Sequence, residues 1–252
     1  MSFGYFTNGL PNPLQDPLLN WRYHMILRGI QREHGQPTRQ KLPITPHILR
    51  SIKTQLNLNL SADLTFWAAC LVAFFSFFRK SNLLPPSAAG FDKNCHLRRK
   101  DVILCSWGVV LVVRWSKTIQ FRQKRLLIPL PKLPNSDLCP LSALHQAFQQ
   151  ASSADPEGPA FMYVKGTQLF PYTYSSFTTK LKSALENCGF AAEQYSGHSF
   201  RRGGATFAMK AGVPYNLIQA QGDWKSSAYE RYLDKSFVYR LQTVATMAAN
   251  IT

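Results

Sequence analysis

His198 and Arg201 stand three positions apart in the segment 197–206, GHSFRRGGAT. Side chains at this spacing share one face of a helix. If a helix begins here, its first backbone N–H groups point the same way, which suits a bound phosphate. Gly203 and Gly204 follow, although a glycine inside a helix costs about 1 kcal/mol relative to alanine. We expect these glycines to allow close backbone packing or the close approach of DNA. The alternative is a capped surface helix with an incidental arginine pair.

Four more residues have side chains suited to phosphate chemistry. Arg79 ends a long apolar run, and Lys117 lies between two predicted strands. Trp224 carries one N–H donor, and Tyr232 follows eight residues later. Structural alternatives exist for three of them. Arg79 could cap a helix C-terminus, where cations are favoured. Lys117 could be a turn residue, with Lys124 as its rival, and Trp224 could belong to the core.

Several other kinds of site lack the residues that they need. The sequence contains no G-x-x-x-x-G-K-[ST] and no G-x-S-x-G, and its 13 carboxylates are scattered rather than clustered as in a two-metal nuclease. The number of cysteines is odd and none form a C-x-x-C pair, which predicts free thiols in a reducing compartment. These cysteines are Cys70, Cys95, Cys105, Cys139 and Cys188. We therefore expect neither a metal nor another cofactor.

The charge of the chain indicates the kind of partner. Among 252 residues there are 29 Lys and Arg against 13 Asp and Glu, a formal net charge of +16. Such a charge favours DNA, RNA or an acidic membrane surface. The most apolar run, 64–78, is only 15 residues long, whereas a membrane span needs about 20. The N-terminus also lacks the basic start and apolar core of a signal peptide. We expect a nucleic-acid partner and no membrane.

The hydrophobic pattern predicts a mainly α protein with one small three-stranded antiparallel sheet, that is, an α+β fold. The strands are expected in 101–105, 108–115 and 124–131, where short β-branched runs alternate with turns. Ser61 is expected to cap the long buried helix. Further helices are expected in 21–32 and after Pro46 and Pro140, and in 173–189, 202–212, 213–222 and 226–233. We place the domain boundary at 40/41.

Six of these residues, in this order, resemble the catalytic domain of tyrosine recombinases. They are Arg79, Lys117, His198, Arg201, Trp224 and Tyr232. The segments SFFRKSNLL, SKTIQFRQ, GHSFRRGGAT and GDWKSSAYERYL look most like the recombinases of eukaryotic mobile elements, of the Crypton and DIRS/Ngaro kind. The resemblance runs from about residue 40 to residue 235. It implies that 41–252 is the catalytic domain. Residues 1–40 would be the remnant of an N-terminal core-binding domain with a basic linker.

The resemblance implies that double-stranded DNA is cut and rejoined without metal or ATP. The hydroxyl of a tyrosine attacks a phosphodiester and forms a 3′-phosphotyrosyl link, which the 5′-hydroxyl of a partner strand then attacks. Arg79 and Arg201 would hold the non-bridging oxygens. His198 would assist by hydrogen bonding or proton transfer, and Lys117 would protonate the leaving 5′ oxygen. Trp224 would donate to the scissile phosphate.

The nucleophile is taken to be Tyr232 because the mobile-element pattern has it as the second tyrosine of AYxxY. Tyr229 and Tyr239 are the rivals. Four further basic residues are expected to bind DNA: Arg202, Lys225, Lys124 and Arg125. The resemblance also implies a homo-oligomer, a tetrameric synapse on DNA, and residence in the nucleus.

The sequence departs from the family pattern at three places. Asn82 stands where the family often has a carboxylate, and Asp223 stands where related elements often have arginine. The segment before the catalytic domain is shorter than the usual core-binding domain of roughly a hundred residues. The alternative function is therefore a truncated or domesticated, catalytically inactive DNA-binding relic. A relaxing topoisomerase of the same chemistry is a more remote possibility.

Overall fold

The structure is a computed structural model that describes residues 16–34, 40–115 and 125–224. The chain divides into two compact units, Met1–Gln40 and Lys41–Thr252. The interpretation of 1–40 as the remnant of a core-binding domain and of 41–252 as a catalytic domain stays a prediction. All five cysteines are free thiols. Within the described ranges, no helix is both long and apolar enough to cross a membrane.

The first unit contains helix α1, Pro17–His34. It begins four residues before the predicted start. Asp16 explains the difference, because its carboxylate accepts hydrogen bonds from the backbone N–H groups of Leu18, at 2.8 Å, and Leu19, at 3.3 Å. Proline at the first helical position, directly after such a cap, is a common helix start.

The second unit is built around helix α3, Ser61–Ser76, which is buried on nearly all sides. It packs against helix α5, Pro140–Gln150, helix α7, Gly197–Lys210, and a short strand at Met162–Lys165. This all-round contact explains why its sequence is apolar throughout rather than on one stripe. The helices of this unit are α2 Pro46–Thr54, α3 Ser61–Ser76, α4 Lys80–Leu83, α5 Pro140–Gln150, α6 Tyr174–Asn187, α7 Gly197–Lys210 and α8 Tyr215–Gln221.

The predicted three-stranded sheet is confirmed. Strands β1 Val102–Cys105, β2 Gly108–Val113 and β3 Leu126–Pro131 pair antiparallel in that order. A second hairpin was not predicted: β4 Met162–Lys165 pairs with β5 Gln168–Pro171. Its strands have four residues each, too few for an alternating pattern to stand out. Gly166 adopts φ 62° in the tight turn between them.

The prediction that Ser61 caps helix α3 is wrong. Leu60 occupies the cap position and makes no side-chain capping bond. The Ser61 hydroxyl instead accepts a hydrogen bond from the backbone N–H of Val164 at 3.0 Å. The hydroxyl therefore ties strand β4 to the start of the helix, a long-range contact that the local sequence cannot reveal.

A cluster of ion pairs around a buried aspartate joins the start of strand β1 to the end of strand β2. Asp101, 2% exposed, accepts from Arg98 Nε at 2.7 Å and from Arg114 Nη2 at 2.9 Å. Burial alone would raise the pKa of this carboxyl, but the hydrogen bonds from the two arginines outweigh burial and lower the pKa. Arg114 follows strand β2 directly, so the cluster anchors the chain three residues before Lys117.

Candidate functional site

Helix α7 carries His198 and Arg201, three positions apart. Ser196 caps it, and the hydroxyl of Ser199 accepts in return from the Ser196 backbone N–H at 3.0 Å. The helix begins at Gly197, as the phosphate-site hypothesis required, and ends at Lys210, so the predicted segment 202–212 began five residues too late. His198 is exposed in its first turn, whereas Arg201, one turn further, is 2% exposed. The helix thus presents an imidazole at the surface and a guanidinium in the interior behind it.

The two glycines of α7 are required for close packing inside the protein. A Cβ added at Gly203 would lie 2.7 Å from the carbonyl carbon of Ile44 and closer still to its oxygen. A Cβ at Gly204 would lie 2.5 Å from the Phe77 ring and would also overlap the Phe74 carbonyl. Carbon atoms in van der Waals contact normally stay about 3.5–4.0 Å apart. The helix can therefore approach its neighbours this closely only with glycine at both positions.

An extended segment at the start of the second unit holds helix α7 from one side. The backbone N–H of Ile44 donates to the carbonyl of Ser199 at 2.9 Å. Arg202 Nη1 donates to the carbonyl of Lys41 at 3.1 Å. Arg202 was predicted to bind DNA; here it is half-buried with one donor directed into the protein. Its contact with DNA stays a prediction.

Arg201 and Trp224 are brought together as a stacked pair. The guanidinium carbon of Arg201 lies 3.6 Å from the centroid of the Trp224 ring, a cation–π contact. Arg201 Nη1 donates to the carbonyl of Phe77. Trp224 is 8% exposed and packs in a small apolar cluster with Phe77, Met209 and neighbouring residues. The interpretation of Trp224 as a core residue is thus correct, and it holds together with the contact to Arg201.

Arg79 lies beyond the end of helix α3. The helix ends at Ser76, and Phe77 follows with φ 54° and ψ 24° in the left-handed region. Arg79 is half-buried, and its carbonyl accepts from the Asn82 backbone N–H at 2.9 Å as helix α4 begins. No basic residue occupies the last turn of α3. Arg79 thus lies outside that turn, and its role, as a helix cap or as a phosphate ligand, stays a prediction.

The two residues that depart from the family pattern, Asn82 and Asp223, take ordinary structural positions. Asn82 is 7% exposed, and its Nδ2 donates to the carbonyl of Trp115 at 3.5 Å, the outer limit for such a bond. An ionised carboxylate could not make this bond because it has no donor. Trp115 precedes Lys117 by two residues. Asp223 is half-buried in the left-handed region, φ 50°, which aspartate tolerates.

Of the remaining predicted residues, one lies in the part of the chain that the structure describes and the others lie outside it. Arg125, just before strand β3, is exposed, as a contact with DNA requires. The others lie outside the described residues: Lys117, Lys124, Lys225, Tyr232 and the rival tyrosines Tyr229 and Tyr239. Their roles stay predictions. In the described part of the chain, no group of three or more His, Cys, Asp or Glu could hold a metal ion.

Two residues that position the Arg201–Trp224 pair were not predicted. Phe77 supplies the carbonyl that binds Arg201, and its ring lies 6.3 Å, centroid to centroid, from that of Trp224. A Cβ added at Gly222 would lie 2.5 Å from an atom of the Trp224 ring and closer to others. Gly222 was predicted only as the end of helix α8. Gly222 and Trp224 are two positions apart in the sequence, which could have suggested that they are in contact. No neighbour of Arg201 or Trp224 in the sequence points to Phe77.

Comparison with known proteins gives one distant sequence relative and several similar folds. No family model matches the chain. The chain is 24% identical over 237 residues to the "Integrase/recombinase xerD homolog" of Selenomonas ruminantium, a match covering 92% of this chain and 64% of that protein. The chain thus spans less than two thirds of the length of this relative.

The solved structures agree on the fold. XerA recombinase superposes with a TM-score of 0.59 at 14% identity, over 84% of this chain and 66% of its own. XerH recombinase, bound to palindromic difH substrate after cleavage, gives 0.56 at 14% identity, over 83% and 54%. Tn1549 transposon integrase with transposon right-end DNA gives 0.52 at 13% identity, over 85% and 68%. The fold is that of a tyrosine-recombinase catalytic domain, as predicted, and the comparisons support the broader resemblance to tyrosine recombinases and integrases.

Proposed function

We propose that this chain is a site-specific DNA recombinase or integrase that cuts and rejoins duplex DNA through a 3′-phosphotyrosyl link. The observation that carries the proposal is the buried Arg201, stacked on Trp224, one turn behind the exposed His198. The net charge of +16 suits a polyanionic substrate. The fold and the distant integrase/recombinase relative favour the same reaction class.

The stacked pair suits a phosphate in the transition state of strand transfer. Negative charge develops on the non-bridging oxygens during in-line displacement. Trp224 covers a face of the Arg201 guanidinium, so the guanidinium is held in one plane, in which Arg201 Nη1 donates to the Phe77 carbonyl. A guanidinium held in this way needs little reorganisation when charge develops. Arg79 is the second planar fork of the proposal, and His198 assists from the surface at the start of α7.

Tyr232 is the proposed nucleophile and Lys117 the proposed acid for the leaving 5′ oxygen. A tyrosine hydroxyl has a pKa near 10, so it must be activated and held in line with the phosphate. Arg202, Lys225, Lys124 and Arg125 are the proposed backbone contacts. We further propose that the chain belongs to a eukaryotic mobile element of the Crypton or DIRS/Ngaro kind. It would then work in the nucleus as a tetramer of identical subunits on DNA.

A second candidate function is a DNA-binding relic without catalysis. Asn82 favours it, because the amide places no negative charge where the family often has a carboxylate. In such a relic the basic residues would keep their affinity for DNA while strand cleavage was lost.

Covalent capture distinguishes the two functions. The purified chain is incubated in EDTA with nicked duplexes taken from the DNA that flanks its own gene. The reaction is stopped with detergent, and protein–DNA adducts are separated by electrophoresis. Tyr232→Phe and the matched control Tyr229→Phe are run beside it, and binding is measured on the same duplexes.

We expect an adduct that only Tyr232→Phe abolishes, with DNA affinity unchanged in both variants. An adduct lost in Tyr229→Phe instead would reassign the nucleophile. DNA binding without any adduct would favour the relic. A chain that neither binds nor cleaves these duplexes would contradict both candidate functions.

A further inference from the structure

Phe77 has an unusual backbone conformation for its side chain. Within the described residues, three residues other than glycine have positive φ: Phe77, Asn135 and Asp223. Asparagine and aspartate are enriched in the left-handed region, whereas a bulky residue there is an outlier. Residues held in sparsely populated conformations cluster at functional sites, because the surrounding structure must enforce them.

The left-handed turn directs the Phe77 carbonyl at the guanidinium of Arg201. Helix α3 ends at Ser76, so a carbonyl continuing the helix would lie along its axis. At Phe77 the chain leaves the helix instead, and Arg201 Nη1 donates to that carbonyl. Arg201 is 2% exposed, and a buried cation needs such a partner. The backbone of residue 77 thus fixes one edge of the guanidinium.

The Phe77 side chain acts on the other member of the pair. Its ring lies 6.3 Å from the Trp224 ring at an interplanar angle of 40°, within the normal range for aromatic contacts. The same ring fills the space that a Cβ at Gly204 would need. Phe77 is therefore enclosed between helix α7 and Trp224. Its ring supports the indole that stacks on Arg201.

We infer that Phe77 is a positioning residue for DNA strand transfer, which holds Arg201 through its carbonyl and Trp224 through its ring. The inference rests on the proposed function and deepens it. It assigns the geometry of the proposed phosphate-binding pair to a residue that acts through that pair. Arg79 follows two positions later. The same turn therefore also determines the direction of the backbone that carries the second proposed arginine.

Phe77→Leu tests the inference with Phe161→Leu as its matched control. Phe161 is also buried, 2% exposed against 6% for Phe77, but belongs to the main core rather than to the cluster around Trp224. Both variants lose one buried ring, so thermal unfolding shows whether their stability losses match. Phe77→Met, unbranched and adaptable, takes the place of the leucine variant if that variant does not fold.

Two readouts are taken at a temperature where both variants are folded. The first is the rate of adduct formation on a nicked duplex at saturating protein. The second is the fluorescence of Trp224, obtained by subtracting the spectrum of a Trp224→Phe version of each protein. We expect Phe77→Leu to form adduct at least tenfold more slowly than Phe161→Leu. We also expect the Trp224 emission maximum to move to longer wavelength in Phe77→Leu alone.

The inference is overturned if the two variants form adduct at rates within twofold of each other. It is also overturned if the Trp224 emission is the same in both. If the parent chain forms no adduct, the proposed function fails separately. The emission then decides the positioning of Trp224 alone: a shift confined to Phe77→Leu supports it, and equal spectra refute it.

Discussion

Replacing Gly203 with alanine should destabilise the protein, although the same change stabilises most helices. In an open helix the substitution gains about 1 kcal/mol. Here the new Cβ would lie 2.7 Å from the Ile44 carbonyl carbon, and Ile44 is tied to Ser199 by a 2.9 Å backbone hydrogen bond. Overpacking a site of this kind costs about 3 kcal/mol. The difference is a net loss of about 2 kcal/mol.

Thermal unfolding followed by circular dichroism measures this loss. For a domain of this size, about 2 kcal/mol lowers the Tm by about 4 to 8 °C. The control is Gly29→Ala in helix α1, where nothing lies within 4 Å of the added Cβ. That variant should gain helicity. A Gly203→Ala protein at least as stable as its parent would refute the idea that close packing, rather than DNA, requires this glycine.

Two other changes have clear expectations. Gly222→Ala should displace the Trp224 ring from Arg201, because the added Cβ overlaps the ring. The fluorescence emission of Trp224 should then shift, and adduct formation should slow at least tenfold. An unchanged emission would contradict this expectation. Asp101→Asn should lower the free energy of unfolding by about 3 kcal/mol at pH 7, because it removes the buried anion that the buried Arg98 and the half-buried Arg114 share. The pKa of Asp101 is lowered in the fold, so its contribution is present above the unfolded value, about 3.9, and lost as pH falls through the folded one. Urea unfolding from pH 7 to pH 3 should therefore show a weaker pH dependence in the variant than in the parent.

Local signals were sufficient for most of the fold. Helical periodicity indicated α6 in 173–189, and Gly189 and Gly212 adopt the positive φ expected where helices stop. The β-branched runs gave the three-stranded sheet because its pattern depends on neighbouring residues. The strands of the hairpin β4–β5 are too short for a pattern to stand out, and the role of Ser61 depends on a contact with Val164, 103 residues later. No local pattern encodes such contacts.

The candidate site divides in the same way. The spacing of His198 and Arg201 on one helix could be predicted from sequence, since it follows from helical periodicity. The difference in their burial could not, because it depends on how closely α7 approaches α3. That distance is set by Gly204, which contacts Phe77, and by the segment at Ile44. The sequence shows that two glycines inside a helix lower its stability. Only the packing shows that they allow helix α7 to lie this close to its neighbours.

Trp224 shows why core and functional interpretations of one residue need not compete. Its burial in an apolar cluster is what an ordinary core tryptophan requires. The same burial fixes the plane of its ring, and a fixed ring can hold the Arg201 guanidinium at 3.6 Å in one orientation. An exposed tryptophan would lose this contact to water and to rotamer freedom. The Trp224 ring is therefore fixed by its packing around Phe77, Met209 and Ile218. The fixed ring in turn orients Arg201, more than twenty residues earlier in the sequence.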